Sequence, residues 1–256
     1  MTDFTSDFTG KTALITGASR GIGEAVARLL AAQGANVVLF ARSGDDIKRI
    51  AREISSAGGS ASFVIGDVSQ FAQLSEAVDH CLTTHGSLDI LVNNAGLIDP
   101  IARLTDSDPD EWSNVVDVNF KGVYFGLRAA LPIMEKQGFG VVVNISSGAA
   151  TGALEGWSHY CSTKAAVLSL TKCADKEMYD KGIRIVGLSP GTVATDMQVS
   201  IKSSGINPIS QLDSSVHISA QTAAKAVAYL CTSEADDLHG VDFSIKTEEG
   251  RARLGL

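Results

Sequence analysis

The 256-residue chain has few cysteines, no paired metal-ligand motifs and no excess of positive charge. Its four cysteines, Cys81, Cys161, Cys173 and Cys231, are scattered without a Cys-x-x-Cys pair, which favours reduced thiols over a disulfide framework. The five histidines show no metal-ligand spacing, so we expect no metal site. A formal net charge of −8 argues against partnership with nucleic acid or an anionic membrane.

Long apolar runs are also missing. No stretch approaches the ~20 apolar residues that are needed to span a bilayer. Residues 1–10 are polar and carry Asp3 and Asp7, which is unlike a secretory signal, so we expect a cytoplasmic protein. The composition, 45% hydrophobic and 20% charged, suits one compact domain over residues 1–256.

The first motif is a strand, a glycine-rich turn and a helix. An apolar run at residues 12–16 precedes Gly17-Ala18-Ser19-Arg20-Gly21-Ile22-Gly23, a helical pattern follows at 24–33, and a second strand is predicted at 36–40. Gly17 permits the tight turn, while Gly21 and Gly23 let the backbone approach a pyrophosphate at the helix N-terminus. The spacing therefore favours a dinucleotide site over an ordinary βα turn.

The end of the second predicted strand bears on the choice of cofactor. An NAD site usually offers a carboxylate there to the ribose 2′-hydroxyl, whereas this chain has Ala41 and Arg42. Arg42, with Arg20 from the glycine-rich turn, would match a 2′-phosphate. We therefore predict NADP(H) over NAD(H). The alternative is that Arg42 only solvates the strand end.

Polar and small residues follow the third and fourth predicted strands, at 61–65 and 88–92. Asp67, before Val68, can accept a hydrogen bond from an adenine amino group, or it can cap the helix predicted at 70–83. Asn93-Asn94-Ala95-Gly96 leaves room for a cofactor ribose. Its asparagines can also tie this turn to neighbouring strands.

A tyrosine and a lysine stand four residues apart on a helix predicted at 158–180. Tyr160 and Lys164 share one face of that helix, and a nearby ammonium group favours the phenolate, making the phenol a better proton donor. Ser147 ends a strand predicted at 140–147 and lies 13 residues before Tyr160, which allows both to reach one cleft, although a turn serine is the alternative. Asn119 falls within a helix predicted at 109–133, where its amide could distort the helix and hold a water molecule.

The remaining third continues the alternation of strands and helices. A strand at 183–188 leads to Ser189-Pro190-Gly191-Thr192-Val193-Ala194-Thr195, and a helix at 220–232 precedes a last strand at 241–245. Residues 196–219 change composition and suit a mobile lid over a substrate pocket, with a plain surface loop that contains a short helix as the alternative. The tail at 246–256 carries no signal.

Six motifs follow one another in a familiar order and spacing: the glycine-rich turn, Asn93-Asn94-Ala95-Gly96, Asn119, Ser147, Tyr160-x-x-x-Lys164 and Pro190-Gly191. Together they resemble the short-chain dehydrogenase/reductase family over nearly the whole chain. The resemblance implies an α/β fold of the Rossmann type: a doubly wound, seven-stranded parallel sheet with helices on both faces. It implies a catalytic group of Asn119, Ser147, Tyr160 and Lys164. The cofactor contacts predicted from motif and resemblance together are Gly17, Ser19, Arg20, Gly21, Ile22, Gly23, Arg42, Asp67, Val68, Asn94, Ala95, Gly96, Tyr160, Lys164, Pro190, Gly191, Val193 and Thr195.

The family resemblance also sets expectations for assembly and chemistry. Homodimers or homotetramers are usual in the family, but its Asp-Gly-Gly-like turn after the last strand is missing at residues 241–244, which leaves subunit packing there open. The segments at 156–161 and 195–198 resemble the branch that contains sepiapterin reductase and benzil reductase. We predict an NADP(H)-dependent oxidoreductase that interconverts a small ketone or diketone and a secondary alcohol. The alternative is an idle NADP(H)-binding sensor, which would have no need of the proton donor.

Overall fold

The computed structural model describes residues 6–256, and Asp3, used above against a secretory signal, lies outside them. Seven parallel strands form one sheet. They are β1 (Thr12–Thr16), β2 (Asn36–Ala41), β3 (Ser60–Ile65), β4 (Ile90–Asn93), β5 (Gly140–Ile145), β6 (Ile183–Ser189) and β7 (Asp242–Ser244). Their order across the sheet is β3-β2-β1-β4-β5-β6-β7, which confirms the predicted seven-stranded parallel sheet.

Nine α-helices connect and flank these strands within residues 6–256. They are α1 (Gly21–Ala32), α2 (Gly44–Ser56), α3 (Phe71–His85), α4 (Pro109–Val116), α5 (Gly122–Gln137), α6 (Ser158–Met178), α7 (Asp196–Ser204), α8 (Ala220–Leu230) and α9 (Glu248–Arg253). None of these helices combines the length and apolar character that crossing a bilayer requires.

Two hydrophobic layers cover the two faces of the sheet. On one face the strands pack against Leu30 of α1, Ile50 of α2 and Val227 of α8. On the other face they pack against helices α3, α5 and α6. Successive strand residues point to opposite faces, so Leu14 and Ile15 of β1 enter different layers and both are fully buried. The inner strands β1, β4, β5 and β6 are buried on both sides, and most of their residues are accordingly apolar, whereas the edge strands β3 and β7 are only partly buried.

A chain of buried polar side chains fixes α6 against the centre of the sheet. Asn93 Nδ2 donates to Asn144 Oδ1 across the β4–β5 pair at 2.9 Å, and Asn144 Nδ2 donates to Thr171 Oγ1 of α6 at 2.9 Å. Thr171 Oγ1 in turn donates to Val167 O at 2.8 Å. The asparagine predicted to tie strands together therefore does so, and the tie reaches the helix that carries Tyr160.

The long helix predicted at 109–133 is divided by a π-helical turn at Asp117–Lys121. Asn119 lies inside this turn and is fully buried. Its side chain accepts from Leu97 N at 2.7 Å and donates to Leu97 O at 2.8 Å. The expected local distortion at Asn119 is present, and it turns a mid-helix amide toward the loop that follows β4.

The strand order reverses direction between β1 and β4. Strands β2 and β3 lie on one side of β1, whereas β5, β6 and β7 lie on the other side, beyond β4. In open parallel sheets a ligand crevice forms at such a point, beyond the carboxyl ends of the strands. The loops that follow the strands meet there.

Candidate active site

One cleft of about 850 Å³ lies beyond the carboxyl ends of the strands. Ser147 lines it together with every predicted cofactor residue except Gly23. Those residues are Gly17, Ser19, Arg20, Gly21, Ile22, Arg42, Asp67, Val68, Asn94, Ala95, Gly96, Tyr160, Lys164, Pro190, Gly191, Val193 and Thr195. Asn119 does not line the cleft and lies behind its wall.

The glycine-rich turn fits a dinucleotide pyrophosphate. Gly17 and Gly21 have φ angles of +63° and +58°, which residues with a side chain rarely adopt. Arg20 stands at the N-cap of α1 in an extended conformation, and its side chain makes no cap hydrogen bond. The first amide groups of α1 are therefore left for an anionic ligand at the positive end of the helix dipole.

Gly23 does not line the cleft, and its predicted contact with the cofactor stays a prediction. A Cβ atom there would overlap the Gly17 carbonyl oxygen and lie 2.6 Å from Asn94 Nδ2. Asn94 Nδ2 donates to Thr16 O at 2.9 Å and to Gly17 O at 3.1 Å, so the turn is clamped onto the residues after β4. Gly23 makes room for this clamp, which explains why it does not face the cleft.

The two predicted phosphate-binding arginines lie at one end of the cleft, each beside a carboxylate. Arg20 Nη1 lies 3.4 Å from Asp196 Oδ2, and Arg42 Nη1 lies 3.6 Å from Asp67 Oδ2. The side chains of Arg20 and Arg42 are 74% and 62% exposed, so both guanidinium groups remain free to reach a ligand. Asp67 also accepts a hydrogen bond from Ser69 N at 2.9 Å, and its adenine contact stays a prediction.

Tyr160 and Lys164 meet Ser147 at the inner end of the cleft. Lys164 Nζ donates to Ile145 O at the end of β5 at 2.6 Å and lies 5.6 Å from the centre of the Tyr160 ring. The Ser147 hydroxyl lies beside the phenol. A Cβ atom added at Gly96 would be 3.9 Å from Lys164 Nζ, so Gly96 leaves the backbone close to that amine.

Burial dominates the protonation of this cluster. It raises the pKa of Tyr160, and the neighbouring Ser147 hydroxyl acts in the opposite direction. Burial also lowers the pKa of Lys164 to about 8, against the attraction of Asp242. The sequence pattern led us to expect that Lys164 lowers the pKa of the phenol. In the protein without cofactor, burial has the larger effect, and the pKa of the Tyr160 phenol is raised.

Asn119 does not line the cleft and lies next to the loop that follows β4. Both polar atoms of its side chain bond to Leu97, and a Cβ atom at Gly96 would lie 3.5 Å from Asn119 Oδ1. The side chain therefore holds the loop that forms the cleft wall beside Lys164. The water molecule assigned to Asn119 from sequence stays a prediction.

The apolar half of the cleft was not predicted residue by residue. Trp157 meets the Tyr160 ring edge-on with ring centres 5.5 Å apart, and it belongs to a separate hydrophobic cluster. Other apolar residues of this half are Ile98, Ala149, Leu154, Met197, Ile201 and Ile209. Trp157 stands at the N-cap of α6, three residues before Tyr160, and its closeness to the tyrosine in the chain was the available signal.

The segment at 196–219 crosses this apolar half. Its two ends are joined by a bridge between Val193 and Ile218, and Asn207 fastens its middle by donating to Glu155 O at 3.0 Å. Ile201 of α7 is buried against the apolar cluster, while Val199 is 70% exposed. The tail also contributes, because Lys246 lines the cleft beside Gly191.

The model of the short chain dehydrogenase family matches residues 11–205. This chain belongs to that family. It is 41% identical over 196 residues to oxidoreductase UcpA of Salmonella typhimurium, covering 75% of this chain and 73% of that protein. It is 37% identical over 187 residues to an uncharacterized oxidoreductase of Staphylococcus aureus strain MRSA252, covering 73% of this chain and 80% of that protein.

Two solved structures of this fold superpose closely. Levodione reductase matches with a TM-score of 0.87 and 28% identity, covering 96% of this chain and 99% of the other. NAD⁺-bound xylitol dehydrogenase matches with a TM-score of 0.87 and 23% identity, covering 94% and 99%, and this likeness shows the fold alone. The chain is therefore an oxidoreductase of the short-chain dehydrogenase family, whose members use nicotinamide cofactors and act on small molecules.

Proposed function

We propose that this protein is an NADP(H)-dependent oxidoreductase that interconverts a ketone or diketone and a secondary alcohol. The observation that carries the proposal is the meeting of Ser147, Tyr160 and Lys164 at the inner end of one cleft. The glycine-rich turn occupies the same cleft, so a bound dinucleotide and a carbonyl compound can reach the phenol together. When bound, the reduced nicotinamide supplies hydride to the carbonyl carbon.

The side chains of the cleft supply the remaining steps. Ser147 donates a hydrogen bond to the carbonyl oxygen and orients it toward Tyr160. Tyr160 donates its proton to that oxygen as negative charge develops on it, a form of assistance worth on the order of 10²–10⁴ in rate. The Lys164 ammonium favours the resulting phenolate, and Asn119 holds the wall behind Lys164 through Leu97.

The preference for NADP(H) rests on the charges at the far end of the cleft. Arg20 and Arg42 both line it, and their guanidinium groups are largely exposed. Asp67, which forms an ion pair with Arg42, follows β3, whereas β2 ends at Ala41. Two cations without an acid at the end of β2 favour a 2′-phosphate over a free ribose hydroxyl.

The apolar half of the cleft favours a small carbonyl compound with a hydrophobic body. Trp157, Leu154 and Ile201 form its walls, and we propose that the segment at 196–219 is the lid of this pocket. The name of levodione reductase gives levodione as the compound that it reduces, which is in keeping with a carbonyl substrate here. We also expect a cytoplasmic homodimer or homotetramer, which sedimentation velocity would test.

The proposal is tested by cofactor consumption together with cofactor binding. Purified protein is titrated with NADPH and NADH, and then screened with either cofactor against diketones, ketoesters, sugars and steroids. We expect tighter binding of NADPH and its consumption with at least one ketone or diketone. Tight NADPH binding with no consumption across the panel would favour the idle sensor, and a preference for NADH would contradict the cofactor assignment.

A further inference from the structure

A carboxylate lies under the floor of the cleft at the start of β7. Ser189 Oγ, at the end of β6, donates to Asp242 Oδ2 at 2.7 Å. Asp242 Oδ1 is buried and has no hydrogen-bond partner. A Cβ atom at Gly187, which pairs with Asp242 across the two strands, would lie 2.9 Å from that oxygen. The glycine therefore leaves the space that this buried acid occupies.

Two serines that line the cleft lie beside this carboxylate. Ser146 and Ser189 both line the cleft, at the ends of β5 and β6, whereas Asp242 does not. The Ser146 hydroxyl is buried without a hydrogen-bond partner and lies beside the Asp242 carboxylate. Lys164 Nζ donates to Ile145 O, immediately before Ser146. Lys164 of α6, the two serines that follow or end β5 and β6, and Asp242 at the start of β7 thus form one cluster.

Burial of this cluster changes the pKa values of its charged groups and strengthens their effect on one another. Burial raises the pKa of Asp242, while Ser189, Ser146, Lys164 and Lys172 act to lower it. Burial lowers the pKa of Lys164 to about 8, and Asp242 acts to raise it. Tyr160 and Lys172, both on α6, are further titratable groups that face this pair.

We propose that Asp242 is a positioning residue that keeps Lys164 protonated. Asp242 acts from the start of β7, beside Ser146 and Ser189, and does not line the cleft that would hold the cofactor and the substrate. Its consequence for turnover rests on the proposed function, because only a protonated Lys164 favours the phenolate of Tyr160. Its effect on Lys164 itself does not, because the pair is a property of the protein alone.

The direct test is a titration of Lys164 in protein prepared without cofactor. Lysine side chains are labelled with ¹³C at Cε, and the Lys164 signal is assigned by its loss in Lys164→Met. Asp242→Asn keeps the size of the side chain and an oxygen acceptor for Ser189, but removes the charge. We expect the pKa of Lys164 to fall further below about 8, by on the order of one unit. An unchanged pKa in the folded variant would overturn the proposal.

Asp175→Asn is the matched control. Asp175 is another buried carboxylate against β6, where it accepts from Ile185 N at 2.9 Å and contacts His239, and it lies three turns of α6 beyond Lys164. Its loss should leave the pKa of Lys164 in place. An equal fall in both variants would show a general effect of charge or stability and would overturn the specific role of Asp242.

A second variant keeps the test open if Asp242→Asn does not fold. Asp242→Ser removes the charge and leaves a small polar side chain. We expect the pKa of Lys164 to fall in the same direction as in Asp242→Asn, by on the order of one unit. A rise or no change in folded Asp242→Ser would contradict the proposal.

The consequence for turnover is read from a pH profile. In the reducing direction, the alkaline loss of kcat should move to lower pH in Asp242→Asn, while kcat at low pH stays within about twofold of the wild type, because Lys164 is then protonated in both proteins. A shifted Lys164 titration with an unmoved profile would overturn the role in turnover. Absence of any turnover in the wild type would refute the proposed function instead, and the titration would still decide the role of Asp242.

Discussion

Replacement of Arg42 by glutamine should weaken the binding of NADPH and leave the binding of NADH unchanged. The side chain of Arg42 is 62% exposed and lies 3.6 Å from the carboxylate of Asp67. A hydrogen bond to a charged group contributes about 1.5–3 kcal/mol when shielded from solvent. Exposure on this scale reduces such a contribution, because water and salt screen the charges.

The contact with Asp67 offsets part of this gain. At this separation a pair of charges in nearly aqueous surroundings is worth about 1 kcal/mol. We therefore expect a net contribution of about 1 kcal/mol from Arg42, which corresponds to a roughly fivefold weaker NADPH affinity in Arg42→Gln. Arg20→Gln combined with Arg42→Gln should approach about thirtyfold if the two contributions add.

Isothermal titration calorimetry with NADPH and NADH at low and high salt measures these effects. Arg52→Gln is the matched control, since Arg52 is an exposed arginine of α2 that does not line the cleft. The loss in Arg42→Gln should shrink as salt rises, because screening already weakens the contact in the wild type. An equal loss for NADPH and NADH, or a loss as large in Arg52→Gln, would refute this reasoning.

Three further predictions concern the scaffold of the site. Gly23→Ala should abolish most NADPH affinity in calorimetry and lower the free energy of unfolding in urea, because its Cβ atom would overlap the Gly17 carbonyl oxygen. Full NADPH affinity would contradict the idea that Gly23 makes room for the contact between Asn94 and the glycine-rich turn. Asn119→Ala should lower the free energy of unfolding by about 1–3 kcal/mol, because it leaves the partly buried amide and carbonyl groups of Leu97 without their partners. An effect below about 0.5 kcal/mol would contradict this. Lys164 binds a proton more weakly in the folded protein, with a pKa of about 8, than in the unfolded chain, near 10.5, so its own contribution to the stability of protein without cofactor should rise with pH between these values. The buried Cys81 and Cys231 thiols, whose pKa is raised from 9.0 to about 12, act in the opposite direction above about pH 9. The test is therefore the difference between wild type and Lys164→Met in urea titrations, which should grow with pH from about 8, and an identical pH dependence would argue against the burial effect.

The sequence was sufficient for the parts of the fold that depend on local pattern. The apolar strands, the turn at Gly17 and the tyrosine–lysine pair are each set by residues near one another in the chain. The structure has the predicted strands and helices within a few residues, but α9 (Glu248–Arg253) lies in the tail, where no helix was predicted. The family model confirms the family that these motifs indicated. The π-helical turn at Asn119 also had a local signal, a polar amide in the middle of a helix.

Features that depend on distant residues could not be predicted in this way. Gly23 is needed because Asn94, 71 residues further along the chain, packs against the glycine-rich turn. Asp242 meets Ser189 beside the cleft because β7 pairs with β6 at the edge of the sheet, 53 residues further along the chain. The pKa of Tyr160 depends on its burial, which spacing to Lys164 does not reveal.

The central claim is that the Tyr160 phenol delivers the proton when the carbonyl compound is reduced. The most direct test is the kcat of Tyr160→Phe for NADPH-dependent reduction of the best ketone or diketone found, with NADPH affinity measured on the same preparation. We predict a fall in kcat of about 10²–10⁴ with NADPH affinity within about twofold of the wild type. Turnover at the wild-type rate in this variant would contradict the account.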